Sequence, residues 1–256
     1  TLSFSNSSFS LLSNLTWTSD SLLEIKTLDL DNYSLTLGSA SSDLKIIDPL
    51  ILDHSDEKLI SGEADLEFSG LLNISLGELS SSNGKIQLEQ GVVLSGGKLT
   101  VPNSTLVIGN QFNKSGGSAN LAGAILQLYS DLSLTSDTLL SVQSLDLNQQ
   151  KLTLSDGGSD LEIQNLLEID HANEGLITGD ADLKLKQGIS ISAGANGEAR
   201  GAHGATNGCA SVPTTTRDER ECAHVRDHEP ELIRTATTMT TLSRPAHVRV
   251  GPSRGR

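Results

Sequence analysis

Residues 1–194 of this 256-residue chain contain no cysteine, no methionine and no arginine, and aromatic residues make up only 3% of the whole. Each absence excludes something. Without thiols the body can build neither a disulfide framework nor a cysteine-based metal or nucleophilic site, a composition that suits an exported bacterial protein. Without arginine, and with 25 Asp and Glu against 9 Lys for a net of −16, it lacks the cationic footprint that phosphate backbones require. Nucleic acid is therefore not an expected partner. Few aromatics leave little surface on which sugars or bases could stack. No stretch reaches the roughly 18 apolar residues of a membrane-crossing helix, so no membrane span is expected. No basic and apolar leader precedes the first strand-like run at Thr1, so the sequence reads as a mature or internal piece of a longer protein. Helical spacing of three and four is nowhere sustained.

What is present is repetition. Thr18–Gly77 returns 117 residues later as Thr135–Gly194 without a gap, and 28 of the 60 aligned positions are identical. Inside this duplication runs a shorter period. Leu22, Leu44, Leu66 and Leu88 are each 22 residues apart, as are Leu28, Leu50 and Leu72, and the second copy repeats both phases with Leu139, Leu161, Leu183 and Leu145, Leu167, Ile189. Each position opens a short alternating run such as Leu44-Lys-Ile46 or Leu72-Asn-Ile74, the period-two pattern of half-buried strands. Ser, Asn, Gly and Asp separate the runs and supply turns, with hinges expected at Asn32 and Asn103.

A unit of about 22 residues with two or three short strands is one coil of a parallel β-solenoid, because a single coil cannot bury its apolar face and a stack can. Two β-sandwich domains of about 117 residues are the competing architecture. A sandwich has no reason to repeat Leu at one interval in two phases, so an all-β solenoid is expected over 1–194, in about nine turns. The 117-residue offset then reads as five turns plus about seven residues, with Asn110–Ser118 as the loop that holds the excess. The stretch Gly96-Gly-Lys-Leu-Thr-Val-Pro-Asn-Ser-Thr-Leu-Val-Ile-Gly109 resembles the coils of large bacterial surface proteins of the filamentous haemagglutinin type and of autotransporter passengers. That resemblance implies a right-handed β-helix and carries over no functional residue.

From Ala195 onward the composition changes. Residues 195–256 carry 9 Arg, no Lys and 7 acids, and lack strand alternation, so this tail is expected to be poorly ordered and foreign to the repeat. Its Cys209, Cys222, His224 and His228 include zinc-capable atoms, but the Cys spacing matches no standard knuckle.

Three constellations in the body could carry chemistry. Asp53-His54 recurs as Asp170-His171, and an Asp beside a His could orient an imidazole for acid or base work. Neighbours on a strand point to opposite faces, however, so the pair reads as a copied turn position. Asp43, Asp65, Asp160 and Asp182 precede inward Leu residues at the 22-residue interval; stacked along one edge, they could attract calcium. Acidic pairs on a solenoid also make a carbohydrate-active enzyme an alternative, against which stand the isolated Trp17, Tyr33 and Tyr129. Six Asn-x-Ser/Thr sequons, at Asn6, Asn14, Asn32, Asn73, Asn103 and Asn113, are common products of so Ser-rich a chain. The expectation is a structural or adhesive segment of a larger secreted or cell-surface repeat protein, and no enzyme. Its partners would be surface glycans or proteins, or other copies joined end to end. No catalytic, cofactor-binding or metal residue is assigned.

Overall fold

The computed structural model describes residues 1–192 and the strand Glu198–Arg200. Expectations about the rest of the tail, including Cys209, Cys222, His224 and His228, fall outside the described residues. All the strand pairings are parallel and no helix occurs among these residues. The molecule is a β-solenoid, as the repeat predicts.

The alternating runs form the strands because they offer the core a residue at every second position. Leu44–Ile46, Leu66–Phe68, Leu72–Ile74 and Leu161–Ile163 each bury their outer two side chains and leave the middle one partly exposed. Each coil runs through three such strands, so the stack has three faces. Face one climbs from Leu23 through Leu44, Leu66, Ile86, Leu106 and Leu126 to Leu145. It continues with Leu167–Ile169 and Ile189–Ile191, joined from below by the Asn165 N–H donating to the Gln143 carbonyl at 2.8 Å. Face two stacks Leu50–Leu52, Leu72–Ile74, Val92–Leu94, Phe112–Lys114 and Leu132–Leu134, then Leu152, Leu176 and the strand Glu198–Arg200. Face three stacks Leu15–Trp17, Ser34–Leu37, Lys58–Gly62, Glu78–Ser81, Lys98–Thr100 and Ser118–Asn120, followed by Leu140–Val142, Leu161–Ile163 and Leu183–Leu185. The N-terminal strand Leu2–Ser10 lies under Leu23–Asp29 and supplies a level below Leu23, so face one has ten levels where nine turns were expected. At the usual strand spacing the stack is about 45 Å long. The ladder also continues to Arg200, past residue 194.

Leu, Ile and Val fill the interior from bottom to top, with Phe68 and Phe112 as the largest fully buried side chains. Burying each such side chain contributes about 1.5–3 kcal/mol, and no coil could do it alone. The corners are held by residues suited to left-handed backbone. Asn32 and Asn103 have φ of 68° and 59°, as expected of hinges, and Asn148-Gln149 repeats the backbone of Asp31-Asn32. Gly91, at φ 84°, could not be replaced cheaply, since a Cβ there would come within 1.9 Å of the Gln111 carbonyl oxygen in the next coil.

The coil length departs from the expected constant 22. On face one the paired positions Leu23, Leu44, Leu66, Ile86, Leu106, Leu126 and Leu145 are 19 to 22 residues apart. The Asn110–Ser118 stretch is not an inserted loop: Thr105–Lys114 is one strand bending from face one to face two, and Ser118–Asn120 already begins face three. The 117-residue offset comes instead from the short middle coils. It equals five turns and two further faces, one face short of six turns, so the second copy is mounted one face back from the first. Leu44–Ile46 lies on face one and its copy Leu161–Ile163 on face three; Leu50–Leu52 lies on face two and its copy Leu167–Ile169 on face one.

Candidate functional site: two Asp-His-x-x-Glu turns

Asp53–Glu57 forms the corner between Leu50–Leu52 and Lys58–Gly62, and Asp170–Glu174 the corner between Leu167–Ile169 and Gly175–Ile177. In each, the Glu N–H donates to the His carbonyl three residues back, at 3.2 Å, closing a tight turn. The Glu side chain then folds back beneath the turn. Glu57 Oε2 accepts the N–H groups of Asp53 at 2.7 Å and His54 at 3.0 Å; Glu174 Oε2 accepts those of Asp170 at 2.8 Å and His171 at 3.2 Å. A carboxylate holding two successive backbone donors is a strong, charge-assisted cap. Both Glu side chains are buried, with 3% of their surface exposed.

The His and Asp side chains stand over this cap, about half exposed. His54 Nδ1 lies 2.9 Å from Asp53 Oδ1 and 3.6 Å from Glu57 Oε1; His171 Nδ1 lies 2.7 Å from Asp170 Oδ1 and 3.5 Å from Glu174 Oε1. Strand alternation, which would have separated Asp from His, does not apply, because the pair sits in a turn and its side chains converge. Glu57 and Glu174 were not anticipated as members of the constellation. Their signal was present, since the Glu recurs three residues after the His in both copies while Ser55-Asp56 becomes Ala172-Asn173.

The Asp rows that suggested calcium are used differently. Asp43 Oδ1 accepts the Asp65 N–H of the next coil at 3.0 Å, Asp65 Oδ1 accepts that of Lys85 at 2.8 Å, and Asp160 Oδ1 accepts that of Asp182 at 3.0 Å. Asn14 and Asp131 do the same for Ser34 and Lys151. These side chains staple coil to coil at the corners. The groups of three converging His, Asp and Glu ligand atoms among the described residues are the two Asp-His-x-x-Glu turns.

Ion pairs also cross between coils on the outward rows. Lys45 pairs with Glu67 at 2.5 Å, and the hydrogen bond from its ammonium to that carboxylate pushes the Lys45 pKa up. Glu162 meets Lys184 at 2.6 Å and Lys186 at 3.5 Å; the Lys184 hydrogen bond holds the Glu162 carboxyl below its ordinary value and, in return, raises Lys184. The buried Lys114 ammonium is paired with Asp137. Residues 45 and 67 are copied as 162 and 184, so the duplication keeps this ion pair with its polarity reversed.

No helix among the described residues is long and apolar enough to cross a membrane. Comparison of the chain with family models, curated proteins and solved structures found no match.

Proposed function

We propose that this chain is a structural or adhesive segment of a larger secreted or cell-surface repeat protein, acting as a rigid, acidic rod that displays ordered rows of polar side chains. The observation that supports this reading is the parallel stack, whose ladder runs without a break along face two from Leu50 to Arg200, with one apolar interior from Leu11 to Leu183 and corners stapled coil to coil by Asp and Asn side chains. Such a rod resists bending because every level hydrogen-bonds to its neighbours, and it fixes the spacing of outward groups at the strand separation of about 4.8 Å. Surface glycans and proteins are the partners it would meet. The test is immunolocalisation of the native protein combined with retention of the purified chain on intact cells. Exterior localisation with saturable retention supports the proposal, exterior localisation without retention narrows it to a purely structural rod, and a protein confined to the cytoplasm overturns it.

A further inference from the structure

We propose that each Asp-His-x-x-Glu turn binds one first-row divalent transition ion, of the zinc or nickel class, through Asp Oδ1, His Nδ1 and Glu Oε1. The donor set is one imidazole nitrogen and two carboxylate oxygens. The imidazole favours borderline transition ions, where calcium and magnesium would prefer oxygen alone. All three ligand atoms in each turn lie within 4.8 Å of one another. Ligands held at about 2.0–2.2 Å from a zinc ion are separated by about 2.9–3.5 Å along the edges of its coordination polyhedron. The observed Nδ1 to oxygen distances of 2.9 and 3.6 Å at the first turn, and 2.7 and 3.5 Å at the second, lie within about 0.2 Å of that range, and at the second turn the ion would replace the hydrogen bond between His171 Nδ1 and Asp170 Oδ1. The half-exposed side of each cluster leaves room for water to complete the ion's shell.

The buried Glu makes this more than a surface pair of Asp and His. In Glu57, Oε2 accepts both backbone donors, whereas Oε1 faces the imidazole and accepts no hydrogen bond from the described residues. One oxygen is thus anchored to the backbone and the other is aimed and unused, the arrangement in which a supporting hydrogen bond orients a metal ligand. In Glu174, Oε1 also accepts the Gln149 N–H at 3.2 Å, which leaves its second lone pair for an ion. The duplication supplies an independent observation. More than half of the aligned positions have changed, including both residues between His and Glu, while Asp, His and Glu are identical in the two copies. Capping accounts for the Glu. The His ring is about half exposed and its polar partners are the Asp and Glu carboxylates, so the role that it keeps is carried by Nδ1.

Because one turn lies between faces two and three and the other between faces one and two, no single ion can be shared, and two ions per chain are expected at these turns. Zinc is titrated calorimetrically into the 256-residue chain after chelator treatment, in a Cys209→Ser/Cys222→Ser background that removes the tail thiols. His54→Ala and His171→Ala should each remove one equivalent and the double variant two, with zinc-induced thermal stabilisation falling in step. The melting temperature without metal checks that each variant folds, and Asp53→Asn serves as a second probe that retains the His. Excess calcium should not compete. Stoichiometry unchanged by the His substitutions, or no binding by the starting chain, overturns the proposal. Neither outcome bears on whether the rod lies outside the cell.

Discussion

Glu57 shows how much a single side chain contributes at a corner. Its removal would leave the Asp53 and His54 N–H groups beside a buried void, and a buried donor stripped of its partner costs about 1–3 kcal/mol. Glu57→Ala should therefore lower unfolding free energy in urea by that order, whereas Glu57→Gln, which keeps an acceptor oxygen, should cost less. Equal losses for the two variants would mean that the charge, and not the hydrogen bonding, holds the turn. Legibility at this scale was uneven. Asn32 and Asn103 were readable as hinges because so few residues tolerate positive φ. The link between Glu57 and the Asp-His pair was not readable, because it depends on the chain folding back within a turn, and no periodicity reports that. The four Asp residues were placed correctly along the corners, but a corner carboxylate looks the same in sequence whether it faces an ion or the N–H of the next coil.

Among the strands, the informative unit is the pair of outward residues one coil apart. Lys45–Glu67 on face one and Glu162–Lys184 on face three occupy the same positions in the duplication with opposite polarity, which points to the pairing, and not either charge, as what matters. Reversing Lys45 or Glu67 alone should lower the melting temperature, and reversing both should restore most of it. The coupling expected for a surface pair is about 1 kcal/mol or less, so a complete double-mutant cycle is the appropriate measurement. The second pair has a pH signature. Because Glu162 has a depressed pKa in the folded state, its contribution is present above the ordinary carboxyl value of 4.5 and is lost as pH falls through the lower folded value. Glu162→Gln should thus melt below the parent at pH 7, with the two curves converging as pH falls below the ordinary carboxyl value. A gap that persists in acid would assign the loss to packing. The strands themselves were readable from alternation, but their phase was not. The dipeptides Leu22-Leu23, Leu71-Leu72, Leu139-Leu140 and Leu166-Leu167 each offer two candidates for the inward position, and in every case the second is the buried one. Counting from Leu22 gave a constant 22; counting from Leu23 gives coils of varying length.

Across the whole molecule, stability should behave as a sum over neighbouring levels. Leu72 is fully buried on face two between Leu50 and Val92. Leu72→Ala should cost about 2–5 kcal/mol in unfolding free energy. Amide hydrogen exchange should show the lost protection concentrated in the coils immediately above and below; a uniform loss across all levels would show that the stack opens as one unit. The solenoid architecture was fully legible, because an apolar period sustained in two phases has few other physical solutions. The mounting of the second copy was not, since coil length is set in the turns, where sequence constraints are weakest. That mounting has a geometric consequence. A duplication that stops one face short of a whole turn can be accommodated only if one face accepts strands that the copied block places on another, as Leu44–Ile46 on face one and its copy Leu161–Ile163 on face three show. Like a three-sided ratchet, the rod can bring any copied feature round to a new bearing by the loss or gain of one strand. The two Asp-His-x-x-Glu turns accordingly look out along different edges, and one flat partner laid against the rod would meet them one at a time.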